Sequence, residues 1–382
     1  MNSNKEILAC IDKENIKYLH SGQISKFVFP MERSKAHKEK IPHLIIRFFI
    51  MAINPKNEIL YLVQKRGENK KSFPNYFTDS ASGHVIFKKN LGLKDIQQDS
   101  LRELEEEFGI TSKSIQKIIF YDLGIEEDNY SQEIAYIFFG LVDYNVKLHP
   151  NPDELEIEGS KFYTQEQLKN ILQNQQSVDY SKKIWKKLLS EDINLLFGKE
   201  KDLKRKENET ALFIGRFQPL HHAHVYVINK ILKSHNLLKI GIGSSQLSHT
   251  INDPFTSDER KQFLIAALKK REISPDLYQI FEIPDIFNAQ KWPTHVSSIV
   301  GEFDIVYSNS DWVRQLFQRK KIKIGKKLVI FKKKFNGSHI RKLMIKDDKG
   351  WVRLIPKEVV DLINMFHGID RIKSSNKKLE KR

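Results

Sequence analysis

The chain has 382 residues, 64 Lys and Arg against 48 Asp and Glu, 40% hydrophobic residues and one cysteine. That length asks for two domains or more, and a single cysteine excludes an internal disulfide or a cysteine metal cluster. No apolar run reaches the ~18 residues of a membrane span, no signal-peptide core is present, and the +16 charge is lysine spread through the sequence without a nucleic-acid-binding motif. The expectation is a cytoplasmic globular protein with neither a membrane nor a nucleic-acid partner.

Strand patterns come first, over residues 43–53, 58–65, 77–85, 117–125 and 133–142. A helix over 96–108 ends at Gly109, a residue suited to a left-handed C-terminal cap. Helices near 164–172 and 182–196 close an α+β half. Residues 199–209, KEKDLKRKENE, are highly charged and read as a linker between domains at 1–198 and 210–372. Beyond it, strands at 211–215, 238–243, 279–284, 303–308 and 327–331 alternate with helices. Thr256 and Glu259 form a capping box, and Pro293 suits a first helical turn. The alternation predicts an α/β, doubly wound parallel sheet with its ligand at the strand C-terminal ends. Residues 373–382 read as a basic tail.

The stretch ALFIGRFQPLHHAH, Ala211 to His224, is an apolar strand, a glycine turn and a helix start carrying His221 and His224. Backbone N–H groups at such a helix start suit a phosphate, and two imidazoles there can stabilise charge in phosphoryl transfer. GIGSSQLSHT at 241–250, NDPFT at 252–256 and FNGSHIR at 335–341 complete the set. Together these resemble the nucleotidyltransferase superfamily, and more narrowly the archaeal-type nicotinamide-mononucleotide (NMN) adenylyltransferases.

The resemblance implies AMP transfer from ATP to NMN, giving NAD and pyrophosphate, with Mg²⁺. It implies that His221, His224 and Arg341 act on the ATP phosphates. It assigns Gly215, Arg216, Phe217, Ser308, Asn309, Ser310, Asn336 and Ser338 to ATP, and Ser244, Ser245, His249, Thr250, Asp285 and Trp292 to NMN. Ala223 replaces the usual glycine between the histidines, and Asn336 and Ser338 replace the usual serine and threonine. The histidine motif is shared with families that adenylate FMN or transfer CMP to a sugar or choline phosphate. Those acceptors, and nicotinate mononucleotide, stay open, as does a homo-oligomer.

In the first half, Glu103, Glu106 and Glu107 sit at i, i+3 and i+4 of one helix, where like charges need a partner. A hard divalent cation is one such partner. The run Arg102 to Ile110, RELEEEFGI, matches the second half of the Nudix box, with Gly83 as the box glycine. The insert FKKNLGLKDIQQDS is longer than the box allows, and Lys94 stands in the register of the first box glutamate. The flanks, through FPNYF at 73–77 and Gly83-His84, resemble the isopentenyl-diphosphate-isomerase branch, but Ser82 holds the place of that branch's catalytic cysteine. A hydroxyl is a poor substitute for a thiol there.

The resemblance therefore implies a Nudix α/β/α sandwich hydrolysing a nucleoside diphosphate-X compound such as ADP-ribose. Mg²⁺ or Mn²⁺ would be held by Glu103, Glu106, Glu107 and the Gly83 backbone, with Glu106 catalytic. Glu133 is a further base or ligand, and Glu154 and Glu156 are weaker ones. A non-catalytic nucleotide sensor is the alternative.

Overall fold

The computed structural model describes residues 6–21, 24–127, 132–197 and 206–380. They form two compact units, Met1–Ile193 and Asn194–Arg382.

The first unit runs β1 (Ile7–Ile11), β2 (Val28–Glu32), α1 (Arg33–Lys38), β3 (His43–Ile53), β4 (Ile59–Val63), β5 (Ala81–His84), α2 (Leu93–Phe108), β6 (Ile115–Glu127), β7 (Gln132–Val142), β8 (Lys161–Thr164), α3 (Gln165–Asn174) and α4 (Asp179–Leu188), with α5 (Ile193–Phe197) at the boundary. β3 is the hub of a mixed sheet: β1, β4 and β5 pair with it antiparallel, and β7 pairs with it in parallel. Because a strand alternates its faces, Leu44, Ile46, Phe48 and Ile50 share one core with Leu104 and Phe108 of α2. Phe49 turns to the other face and packs on Trp185 of α4, with ring centroids 4.8 Å apart. Trp185 is also pinned there, its indole N–H donating to the Thr78 carbonyl at 2.8 Å. The sheet thus lies between helices on both sides, the expected α/β/α sandwich. Gly109 ends α2 at φ +67°, a conformation that glycine adopts without a Cβ clash.

The second unit runs β9 (Lys206–Gly215), α6 (His222–Ser234), β10 (His235–Gly243), α7 (Ser257–Lys269), β11 (Tyr278–Ile283), α8 (Trp292–Val300), β12 (Ile305–Tyr307), α9 (Asp311–Arg319), β13 (Lys323–Ile324), α10 (Gly337–Ile345), α11 (Lys357–Met365) and α12 (Gly368–Glu380). Its sheet is parallel throughout, in the order β11-β10-β9-β12-β13. On β9, Ala211 and Phe213 enter a core with α6, α7, α10 and α11, while Leu212 and Ile214 enter one with α8 and α9. Both faces are covered, as a parallel sheet requires. The strand order reverses between β9 and β12, which opens a crevice at their C-terminal ends.

Four expectations need correction. Residues 327–331 are not a strand; the fifth strand is the short β13, paired only through Ile305 and Val306. The helix expected over 182–196 is two, α4 and α5. Of the expected linker, 199–205 lie outside the described residues, whereas 206–209 already belong to β9, in which Lys206 and Thr210 pair with β10 around a bulge. The expected tail is helical as far as Glu380, since α12 packs its Ile372 into the core.

Candidate functional site

The site of the second unit is built on the turn after β9. A Cβ on Gly215 would lie 2.9 Å from Cζ of Phe217, so only glycine leaves that ring its place. Phe217 takes φ +52° and buries its ring against Phe213 and His224, with centroids 5.8 and 4.9 Å away. It lines the smaller of the site's two cavities. His221 is the N-cap of α6 and His224 its third residue, and their rings stack at 3.6 Å, 14° from parallel. The His221 backbone N–H donates to Nδ1 of His224 at 3.4 Å. That bond leaves the proton of a neutral His224 on Nε2, free to donate to an oxyanion. Burial lowers the His224 imidazole to about 3, and burial with the neighbouring His224 holds His221 well below the usual histidine range. Both rings are therefore neutral near pH 7, and each can donate one ring N–H.

Three anchors hold the surrounding loops. Gln218 exchanges two side-chain hydrogen bonds with the backbone of Phe255, at 2.8 and 3.0 Å. Arg341 donates to the Gln218 carbonyl at 2.7 Å and to Ser338 Oγ at 3.3 Å. Arg260, fully buried, donates to the carbonyls of Arg216, Gly243, Ser244, Ser245 and Thr256 at 2.9 to 3.4 Å. Burial lowers its guanidinium to about 10. Sequence reasoning missed Arg260, since one arginine on a helix reads as a solvated face. Asn336 caps α10 by accepting from Ser338 N at 2.9 Å and His339 N at 3.4 Å.

Two cavities flank these elements. One of about 590 Å³ takes in Gly215, Arg216, His224, Ser244, Asp285, Trp292, Ser308, Asn309 and Ser310. One of about 300 Å³ takes in Arg216, Phe217, His221, His224, Asn309, Asn336, Ser338 and Arg341. They share Arg216, His224 and Asn309. Ser245, His249 and Thr250 line neither cavity. His249 is exposed and contacts Ser248 Oγ at 2.9 Å, and Thr250 Oγ1 accepts from Asp253 N at 2.9 Å, shaping its own turn. Phe287, Trp312 and Lys332 also line these spaces and were not foreseen.

In the first unit, α2 lies against β5. A Cβ on Gly83 would fall 2.1 Å from the Glu103 carboxyl carbon, so that glycine makes room for the glutamate. Burial pushes Glu103 up to about 7 and Glu107 well above the usual carboxylate range. Oε2 of Glu107 is buried without a hydrogen-bond partner. Glu106 is turned more to solvent than the other two: its side chain is 58% exposed and pairs with Arg102 at 3.0 Å. Arg102 also meets Glu103 at 2.6 Å and so relieves part of the like-charge conflict. The buried, unsatisfied Oε2 of Glu107 is the kind of donor a hard cation takes. Glu154 and Glu156 are engaged elsewhere. Glu154 pairs with Lys70, and Glu156 pairs with Lys65 at 3.3 Å and accepts from Gly159 N at 2.9 Å, closing a turn.

Glu133 lies 3.8 Å from His43 Nε2 and 4.0 Å from Arg47 Nη2. Arg47 meets Asp79 at 3.1 Å and Glu126 at 2.6 Å; burial would lower its guanidinium, but these carboxylates outweigh that and raise it. His37, His43 and His84 bring their ring nitrogens within 4.8 Å of one another. His43 Nδ1 bonds the Ile41 carbonyl at 2.9 Å, leaving Nε2 buried and without a hydrogen-bond partner. Such an imidazole set beside a carboxylate can hold a borderline divalent metal. The reading of the sequence missed it, although His37 and His43 six residues apart and the Gly83-His84 pair were the available signals.

The comparisons with known proteins bear on the second unit. A cytidylyltransferase-like family profile matches residues 212–347. The nicotinamide-nucleotide adenylyltransferase of Thermococcus sibiricus is 38% identical over 171 residues, 45% of this chain and 91% of that protein. This chain belongs, through its second unit, to the nicotinamide-nucleotide adenylyltransferase family. The Methanococcus vannielii member is 41% identical over 169 residues, 44% of this chain and 95% of that protein. A solved bifunctional NMN adenylyltransferase/ADP ribose pyrophosphatase from Francisella tularensis overlaps 45% of this chain and 54% of its own at 19% identity and TM-score 0.38. That overlap is too slight to bear on either unit. No described helix is long and apolar enough to cross a membrane.

Proposed function

We propose that the chain is a bifunctional enzyme of NAD metabolism whose second unit makes NAD from NMN and ATP. The observation that supports this most directly is the pair of cavities meeting at His224, on a chain whose relatives bear that activity by name. The smaller cavity carries the phosphate-binding groups His221, Ser338 and Arg341, and so suits the triphosphate. The larger carries Ser244, Asp285 and Trp292 and suits NMN, while Gly215, Ser308 and Ser310, expected at ATP, line it as well, where the two substrates meet.

In the reaction a phosphate oxygen of NMN forms a bond to the α-phosphorus of ATP. The bond from that phosphorus to the bridging oxygen breaks, and pyrophosphate leaves with the electron pair. No protein nucleophile is required, so alignment and charge stabilisation carry the rate. His224 donates from Nε2 to the phosphates, and the N–H groups at the start of α6 add their dipole. Arg216 is half exposed and only loosely paired with Asp253 at 3.5 Å, so it can turn to the α-phosphate. Arg341 and Ser338 hold the leaving pyrophosphate. A divalent cation such as Mg²⁺, carried on the triphosphate, would offset its charge.

The first unit, on this reading, hydrolyses a nucleoside diphosphate-X compound such as ADP-ribose. Glu103 and Glu107, with the exposed Glu106, would hold Mg²⁺ or Mn²⁺, which supplies an activated water and neutralises the diphosphate. Gly83 keeps Glu103 in place for it. Lys94 in place of the first box glutamate favours one competing reading, a nucleotide sensor.

The decisive assay is NAD formation from NMN, ATP and Mg²⁺ by wild type and His224→Ala. Synthesis by the wild type that falls at least a hundredfold in the variant is expected. An intact wild type that binds ATP and makes no NAD overturns the acceptor assignment. Mg²⁺-dependent ADP-ribose turnover lost in Glu107→Gln sinks the sensor reading; its absence from a folded wild type upholds it.

A further inference from the structure

We propose that Trp312 is the surface on which this chain stacks the pyridine ring of its acceptor, with Trp292 serving as the buried wall behind it. The inference rests on the NMN-adenylylating reading above. Trp292 follows the third strand of the sheet and was the expected stacking residue, but only 4% of its surface is exposed. Its ring is already packed on Phe317 and Trp312, with centroids 5.7 and 5.5 Å away, and it belongs to the core of α8 and α9. It still lines the larger cavity, but with little of its surface.

Trp312 is the second residue of α9 and is 52% exposed. A large aromatic side chain left in water forgoes the burial that usually holds it in place. Of the exposed large apolar side chains among the described residues, only Trp312 and Phe287 line either cavity, and both line the larger one. Phe287, 89% exposed on a backbone turn at φ +50°, lines the same space. An otherwise unexplained exposed indole at the mouth of a substrate cavity is a contact kept for the substrate.

The cavity layout selects which substrate. The smaller cavity holds the phosphate-binding groups His221, Ser338 and Arg341 and ends in its own apolar patch of Val329, Ile330 and Phe335. That patch accommodates the base of the nucleotide whose phosphates lie beside it. The larger cavity also takes in Ser308 and Ser310, expected at ATP. Its aromatic end, where Trp312 packs on Trp292 5.5 Å away, shares its space with the expected acceptor residues Ser244 and Asp285, and that end falls to the acceptor. The pyridine ring of NMN carries a positive charge, and the face of an indole is the best aromatic partner for a cation.

The test is steady-state kinetics of the full chain as wild type, Trp312→Ala and Trp312→Phe, with NMN and ATP varied in turn. Fluorescence quenching by NMN alone is measured beside it. Trp312→Ala is expected to raise the KM for NMN about tenfold, to leave the KM for ATP within about twofold, and to lose most of the NMN-dependent quenching. Trp312→Phe should recover most of the affinity. An unchanged KM for NMN overturns the inference and leaves the functional reading standing. A rise in the KM for ATP instead assigns the indole to adenine and also overturns it. A wild type that makes no NAD overturns the functional reading, and this inference falls with it.

Discussion

Arg260→Met removes the guanidinium beneath the site while keeping most of the aliphatic volume. The Thr256 carbonyl keeps a partner, since it also accepts from the Arg260 backbone N–H at 3.1 Å. The carbonyls of Arg216 and Gly243 lose bonds of 3.0 and 2.9 Å, and those of Ser244 and Ser245 lose longer ones. Orphaning a buried carbonyl costs about 1–3 kcal/mol. Two orphaned at mid-range, less the relief of a buried charge held by carbonyls rather than a close carboxylate, leave a net loss of about 3 kcal/mol. For a unit of this size that is roughly 6–12 °C in melting temperature. Calorimetry of the full chain should show one transition moving by that amount while the other stays. The three loops tied by Arg260 also frame the larger cavity, so the KM for NMN should rise with it. A melting shift under 2 °C would refute the idea that Arg260 fastens these loops.

Three further outcomes are expected. His224 is held near 3 in the folded chain against about 6.5 unfolded, so below pH 6.5 the unfolded state binds more protons. Stability of the second unit should be constant above that pH and fall as the pH drops toward 3, and urea midpoints at pH 5 and pH 7 should differ less in His224→Gln than in wild type. Glu107→Gln should weaken Mn²⁺ binding at least tenfold by calorimetric titration while the melting temperature in EDTA is unchanged or higher, because the neutral amide needs no buried countercharge. Asn336→Ala removes the cap of α10 and should cost about 1 kcal/mol and raise the KM for ATP, with Asn336→Ser recovering most of both.

The elements legible in the sequence were those with local signals. Gly109, the Thr256–Glu259 box and the alternation after residue 210 each report on a few neighbouring positions, and each is found in place. The turn from Gly215 to His224 was legible for the same reason. What escaped depends on distance along the chain. His37 and His84 meet across 47 residues, and Arg47 and Glu126 across 79. No window of sequence joins them. Residues 327–331 look like a strand because they are apolar, yet β12 offers β13 only two residues for pairing, and the segment passes into the wall of the smaller cavity. Trp312 was passed over because an aromatic residue in a helix pattern is usually read as core.

Arg216, His224 and Asn309 form a border common to both cavities. A dinucleotide assembled across that border is tethered at each end by the contacts that held one substrate apiece. When one end lets go, the other keeps it at high local concentration, so it rebinds before it can diffuse away. Departure of the finished dinucleotide, rather than the making of its bond, is then the step expected to limit turnover of the second unit. Rapid mixing should show a burst of one NAD per site ahead of the steady rate.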